Sequence, residues 1–436
     1  MNKWYRIVAV LWLTLLSGYV LAGSSQVPFH GDESTTIWMS KDYAYLVEGD
    51  LARVRYNEPP VDAAEQQLRL ITGSLTKYLM GLSWQMSGNT TADINEQWHW
   101  GFDWDWNVTN GHMPSDDLLL IGRWSSALML MMGVWVMFKI GEIAAGPVAA
   151  YSSSLLYAMH PALLLNGRRA MFEGGMILFL LLTVLLGLMF LRRQSWDAAF
   201  GLGLVAGLAL SAKHSAVFTV VLVLGICLLI IVYENRQSLR DVIGGVAKLI
   251  LTGGITIGVF YVLHPVLWGE GLLTRAQQVI DGRAAMLDGQ VNAFGGYETI
   301  SERLLGAASQ IFLLEPQYFE VPGWGAYIGQ AIINYESTYL AGLTSGALLW
   351  GILMCVLGVL GVWNLSFRPV SNTLYSQRLL LIGWAVGMVL TTALITPIEW
   401  QRYYLMAILP LVMTVGVGLS AVIRFGLRMR GPVSTR

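Results

Sequence analysis

His30-Gly31-Asp32-Glu33 places two carboxylates side by side shortly beyond a long apolar run. One such acid can act as a base on a bound ligand while the other orients the chain; the same pair also suits a plain helix start, with Asp as the cap. Four cations stand at or beside the ends of apolar runs, Arg168, Arg169, Lys213 and Arg402, and Lys77 adds a fifth on an expected surface helix. A cation costs up to about 2.5–3.5 kcal/mol at the centre of a membrane helix and less near the interface, so each calls for an anionic partner. Glu173, four residues after Arg169, and Glu399, near Arg402, offer local ion pairs. A lipid-borne phosphate offers another solution, engaging Arg by bidentate contact and Lys as a point charge.

Trp98-His99-Trp100-Gly101-Phe102-Asp103-Trp104-Asp105-Trp106 alternates aromatic rings with acids. Alternating Trp suits an interfacial belt. Indole faces beside carboxylates also suit a sugar ring, and Trp104 and Trp106 are the candidate wall. His160-Pro161 and His264-Pro265 end apolar runs, and their histidines are candidate supporting residues together with Glu173. His99, Asp103, Asp105 and His112 match no defined metal-site spacing. No phosphate-binding glycine loop, nucleophile elbow or soluble nucleotide-binding unit is visible, which argues against a sugar nucleotide as direct donor.

These residues need a scaffold, and the composition indicates which kind. The 436 residues are 55 % apolar and 13 % charged, with mean hydropathy +0.55, against roughly 45–50 % apolar and about 25 % charged in soluble domains. Ten membrane spans are expected: Tyr5 to Leu21, Leu118 to Phe138, Gly146 to Leu165, Met171 to Leu191, Ala198 to Ser211, Ala216 to Tyr233, Val246 to Leu267, Leu343 to Leu365, Leu379 to Thr396 and Tyr403 to Ile423. Cys227 and Cys355 lie inside apolar runs, so no disulfide framework is expected.

Lys3 and Arg6 before the first span place the N-terminus in the cytoplasm. Alternation then gives cytoplasmic segments fourteen basic residues against four acidic ones, Arg193, Arg368, Arg430 and Arg436 among the basic. A cleaved signal peptide at Val20-Leu21-Ala22 leaves the rest of that topology unchanged. Two segments fall outside the cell: Ala22 to Asp117, with fourteen acids against five basic residues, and Trp268 to Ala341. Within the first, Asp62 to Met86 reads as one amphipathic helix along the membrane surface. The whole, 1–436, reads as a single all-α polytopic membrane domain.

In this setting the chain resembles the GT-C glycosyltransferases, in particular the protein O-mannosyltransferase-like and aminoarabinose-transferase-like branch. Asp32-Glu33 resembles the acidic motif of that family's first external loop. Gly73-Ser74-Leu75-Thr76-Lys77-Tyr78-Leu79 is similar to its Lys-containing segment, without the prolines. Arg168-Arg169-Ala170-Met171-Phe172-Glu173 resembles its Arg followed five residues later by an acid. Gly207-Leu208-Ala209 to Lys213, and Gln401-Arg402-Tyr403-Tyr404-Leu405 with Pro410, are similar to its later motifs. The Trp-rich insertion has no counterpart.

The resemblance implies a polyprenyl-phosphate-linked sugar as donor, used externally. A glycosyl phosphate carries an already acidic leaving group, so one base and several cations suffice. The expected function is transfer of a hexosyl or pentosyl group to an acceptor hydroxyl on protein, lipid or glycan, with inversion at the anomeric carbon. Asp32 is the expected base, Glu33 its support, and Lys77, Arg168, Arg169, Lys213 and Arg402 the pool for the carrier phosphate. The chemistry requires no cofactor, leaves room for a divalent cation, and involves membrane lipids but no nucleic acid. The alternative is a transporter with an intramembrane charged site; a non-catalytic assembly subunit would not need the outward cations.

Overall fold

The computed structural model describes residues 3–313, 315–344, 347–367 and 373–429, so Arg368, Arg430 and Arg436 lie outside the described residues. Among the described residues the chain is helical with no strand. Among the described residues eight helices are long and apolar enough to cross a membrane, and a bent pair makes a ninth if it is one span. The shorter apolar helix Trp196–Ala212 occupies the fifth expected span, Ala198 to Ser211.

The bent pair corrects the single span expected from Gly146 to Leu165. Pro147–Met159 and Pro161–Arg168 meet at His160 at an angle of 58°. Pro161 lacks an N–H and disfavours helical geometry at the preceding residue, and His160 is accordingly extended, at φ −73° and ψ 118°. The break re-aims the second half so that Arg168 and Arg169 follow it into the protein. In the same way His264-Pro265 ends the helix Leu239–Leu263 short of the Leu267 expected.

The central helices are Asp116–Ala145, Pro147–Met159, Glu173–Arg193 and Leu405–Met429, packed through Leu130, Met137, Leu181, Leu188 and Met413. Small residues set the closest approaches, as they do where lipid removes the hydrophobic drive for helix pairing. Gly203 and Gly207 lie against the helix Leu239–Leu263, where a Cβ on Gly203 would come within 2.7 Å of the Thr252 carbonyl oxygen. Across that seam Thr252 donates to the Ala199 carbonyl at 3.1 Å and Thr256 to that of Gly203 at 3.2 Å. Leu239–Leu263 is otherwise largely exposed along its length, as a lipid-facing helix must be.

The region expected to hold one surface helix from Asp62 to Met86 forms two, Ala63–Ile71 and Leu75–Met86. The break is tertiary in origin. Ser74 N–H donates to the Ser211 carbonyl at 2.8 Å, satisfying a terminal carbonyl of Trp196–Ala212, and Gly73 lies so close that a Cβ would sit 2.2 Å from the Ala212 oxygen. The second helix buries Thr76, Lys77, Met80 and Trp84.

Candidate functional site

A short helix, Gly31–Met39, carries the acidic pair. His30 caps it: its Nδ1 accepts from the Asp32 N–H at 3.1 Å, while its own backbone N–H donates to Glu33 at 3.0 Å. With Nδ1 accepting, the ring proton sits on Nε2, which donates to Glu320 at 2.6 Å. Glu320 thus fixes the tautomer of the residue that caps the Asp32 helix.

Neighbours in the chain, Asp32 and Glu33 have opposite surroundings. Glu33 is fully enclosed, taking a bidentate pair from Arg123 at 2.8 and 3.0 Å and the Ala170 N–H at 2.9 Å. The Asp32 side chain keeps 29 % of its surface exposed and faces a cavity of about 420 Å³. Arg402 donates to Asp32 and lies 3.5 Å from Glu320, so two carboxylates share one guanidinium. Burial works to raise the Asp32 pKa; the charge and hydrogen bond of Arg402 lead the opposing effects, which hold it below its ordinary value. Glu33 is likewise held low, with burial outweighed by Arg123.

The cavity gathers side chains from across the sequence: Asp32, Glu173, Lys213, Arg283, Glu320 and Arg402 supply its charge. Lys213, at the end of Trp196–Ala212, pairs with Glu173 at 2.5 Å. Arg283 comes from Leu272–Phe294, where it shares a helical row with Met286, Gln290 and Phe294 along the cavity wall. Its guanidinium donates to the Ile71 carbonyl at 3.3 Å. Tyr403 donates to Gln290 at 2.8 Å and stacks parallel to Trp400, over whose ring the Arg402 guanidinium lies at 4.8 Å. A volume of this order suits a small ligand, and three cations facing three carboxylates can accept an anionic group once one ion pair is exchanged.

Of the five cations expected to form one pool, the structure brings only Lys213 and Arg402 to this cavity. Lys77 belongs elsewhere, its Nζ 2.6 Å from Asp42 in a buried network where Arg69 bridges Asp42 and Glu65 at 2.6 and 2.7 Å. Arg168 caps the first helix, Lys3–Ala22, donating to the Tyr19 and Val20 carbonyls at 2.7 and 2.8 Å, to Tyr335 at 2.6 Å and to the Leu340 carbonyl. Those first two oxygens are last-turn carbonyls with no partner inside the helix. Gly23 makes the approach possible, since a Cβ there would meet the guanidinium at 2.3 Å. Arg169 joins the Pro28 carbonyl at 3.1 Å to that of Tyr318 at 2.7 Å.

The local pairs weighed from spacing are not those formed. Glu173 turns to Lys213 rather than Arg169, and Arg402 to Asp32 and Glu320 rather than Glu399. His160 is buried at the helix break, away from the cavity lining. His264 lies 3.4 Å from His214 and bonds the Phe260 carbonyl at 2.7 Å, beside the Lys77 network. Trp104 packs on Phe29, Trp98, Trp324 and Tyr327, and Trp106 on Phe102; both lie outside the cavity lining, whose indoles are Trp100 and Trp400.

Sequence reasoning missed Glu320, Arg283 and Arg123. Arg123 had a usable signal, since it stands inside an expected span and a charge there requires a partner. Glu320 had none, being one acid in a long loop segment. Among the described residues no group of three or more His, Cys, Asp or Glu is arranged to hold a metal ion.

Residues 116–280 match the family dolichyl-phosphate-mannose-protein mannosyltransferase. Over 100 % of its length the chain superposes on the archaeal oligosaccharyltransferase AglB from Archaeoglobus fulgidus, in complex with an inhibitory peptide and a dolichol-phosphate, with a TM-score of 0.51 at 12 % identity. The fold is GT-C-like. This GT-C-like chain spans about half of that relative, 52 %. It also resembles the S. cerevisiae protein O-mannosyltransferase Pmt1-Pmt2 complex bound to the sugar donor (TM-score 0.45, 13 % identity, 64 % of this chain and 34 % of that one). A third likeness is ArnT from Cupriavidus metallidurans bound to undecaprenyl phosphate (TM-score 0.38, 13 % identity, 95 % and 78 %). Comparison with curated protein sequences finds no match. The matched family segment of the GT-C-like chain contains Arg123, Glu173 and Lys213, while Asp32, Arg283 and Arg402 fall outside it.

Proposed function

We propose that the chain transfers a hexosyl or pentosyl group from a polyprenyl-phosphate carrier to an acceptor hydroxyl on the external face of the membrane, inverting the anomeric carbon. The observation that carries this reading is the convergence of Lys213, Arg283 and Arg402 on the cavity that Asp32 faces. The family match and the shared fold agree with it.

In the proposed reaction the carrier phosphate enters among Lys213, Arg283 and Arg402 and takes over part of Arg402's pairing. Asp32 is then left facing the acceptor. The acceptor oxygen attacks the anomeric carbon from the side opposite the phosphate, the bond from that carbon to the phosphate oxygen breaks, and its electron pair leaves with the phosphate. Asp32 takes the hydroxyl proton as it becomes acidic in the transition state. The cations stabilise charge growing on the leaving group, and no general acid is required. Glu33 keeps the Asp32 helix in place through Arg123 and Ala170, and takes no proton.

The test is turnover by the purified chain in lipid with polyprenyl-phosphate sugars, read as release of polyprenyl phosphate and as the anomeric configuration of the product. Acceptor-dependent release with inverted configuration supports the reading. A retained configuration overturns the direct displacement, and a failure to bind any polyprenyl phosphate overturns the whole proposal.

A further inference from the structure

We propose that the Trp-rich loop is the acceptor platform, and that the acceptor is an uncharged saccharide whose ring stacks on Trp100 beside Asp32. This rests on the reaction above and adds the class of acceptor, through one indole on the cavity wall and an aromatic pair farther along the same loop.

Trp100 lines the cavity with Asp32 while 42 % of it remains exposed. One face of its indole is already taken, stacked on Trp324 at 5.4 Å and 22°. Trp324 is itself buried among Phe29, Trp98 and Trp104, so Trp100 rests on a rigid aromatic base. Gly31 brings this base against the Asp32 helix, since a Cβ at that position would meet both Trp98 and Trp100 at 2.9 Å. The indole is therefore fixed against the first residue of the helix that carries the proposed base. An exposed, pre-positioned ring face of this kind fits the C–H face of a sugar at little ordering cost.

Two residues on, Phe102 stacks on Trp106 with ring centres 4.0 Å apart and planes at 18°, and Phe102 is 50 % exposed. Asp103 caps the helix Trp104–Thr109, accepting from the Trp106 N–H at 2.8 Å, which holds this pair in place. Two aromatic platforms on one loop suit more than a single ring, as in an oligosaccharide.

Charge decides between occupants. From Tyr78 to Gly122 the sequence carries six acids, Asp93, Glu96, Asp103, Asp105, Asp116 and Asp117, and no Lys or Arg. A surface of this sign repels lipid headgroup phosphates and phosphorylated acceptors, whereas neutral sugar hydroxyls carry no charge to be repelled and can donate to carboxylates. The donor phosphate keeps to the cations elsewhere on the cavity wall.

The experiment uses the full chain in detergent with three probes measured on one preparation: neutral trisaccharides (mannotriose and cellotriose), a Ser/Thr peptide of similar mass, and undecaprenyl phosphate. Native mass spectrometry and calorimetry should show trisaccharide binding that weakens about tenfold in Trp100→Ala, the scale of one lost aromatic contact, and less in Trp100→Phe. Undecaprenyl phosphate should bind all forms alike. Phe102→Ala, at an exposed position, should weaken the longer of two oligosaccharides more than the shorter, which covers the case of a misfolded Trp100→Ala. Binding of the peptide but neither trisaccharide, or trisaccharide binding indifferent to Trp100 and Phe102, overturns the inference. Loss of undecaprenyl phosphate binding in the parent chain instead overturns the proposed function, and the two failures are read separately.

Discussion

Replacing Asp32 by Asn keeps its shape and its contact with Arg402 but removes the basicity. Turnover should fall roughly 100-fold or more, with carrier affinity retained because Lys213, Arg283 and Arg402 are untouched. An Asp32→Asn chain that transfers sugar at the parent rate would exclude Asp32 as the base. Glu33→Gln should behave differently. It leaves the Arg123 guanidinium buried without its countercharge, a change that costs on the order of 3–5 kcal/mol. The expected readout is a lower thermal midpoint and poor recovery of folded protein, with turnover per folded molecule much less affected. Arg283→Gln gives the cleanest phosphate test, because Arg283 donates to the Ile71 carbonyl at a long 3.3 Å rather than to a carboxylate there. Loss of one charged hydrogen bond of about 1.5–3 kcal/mol corresponds to carrier affinity reduced about 10- to 150-fold; an unchanged affinity would remove Arg283 from the site.

At the scale of elements, two cations that spacing placed in a phosphate pool are joints between helices. Arg168 closes the end of Lys3–Ala22, and Lys77 joins Leu75–Met86 to the helix Lys41–Glu48 through Asp42. Arg168→Ala strands buried carbonyls at about 1–3 kcal/mol each, and Lys77→Met leaves Asp42 with Arg69 alone. Both variants should unfold at lower temperature or denaturant, while folded molecules bind undecaprenyl phosphate as the parent does. A stable Lys77→Met chain with specifically weakened carrier binding would return Lys77 to the phosphate site. The helix break at Thr72–Ser74 shows the same logic, since local periodicity favoured one helix and docking on Ser211 and Ala212 produced two.

For the whole molecule, the carboxylates held low are concentrated in the segment between the first two spans. Asp32, Glu33 and Asp42 all sit below their ordinary values of 3.8, 4.5 and 3.8, burial being outweighed in each by neighbouring cations. Their stabilisation is full above those ordinary values and is lost as pH falls through the lower folded ones. Thermal stability should therefore hold from neutral pH to about 5 and decline below about 4, which a melting series in detergent would show; a decline beginning near pH 6 would assign the loss to histidine. Orientation is tested separately. In a chain with Cys227 and Cys355 replaced by Ser, single cysteines near Asp32 and Glu298 should label from outside and one near Arg193 from inside. Labelling of the Asp32 segment from the cytoplasm would reverse the proposed face of catalysis.

What the sequence settled by itself was the all-helical membrane class, the approximate places of the apolar helices, the likeness to GT-C proteins and the acidic pair as a feature to examine. These depend on local composition: a run of apolar residues needs no distant partner to become a helix in lipid, and Pro161 and Pro265 disfavour helical geometry at the residue before them, whereas Pro410 sits inside Leu405–Met429. Tertiary structure alone decided which charges meet. Arg402 reaches Asp32 across 370 positions, Glu33 finds Arg123 across 90, and Glu173 finds Lys213 across 40. Spacing favoured Arg169 for Glu173 and Glu399 for Arg402, and the fold chose otherwise because a buried charge pairs with whatever partner packing brings within about 3 Å. For the same reason Trp100, rather than Trp104 or Trp106, faces the cavity. The three share one aromatic alternation, and of them Trp100 is the one that packs against Gly31 and lines the cavity with Asp32.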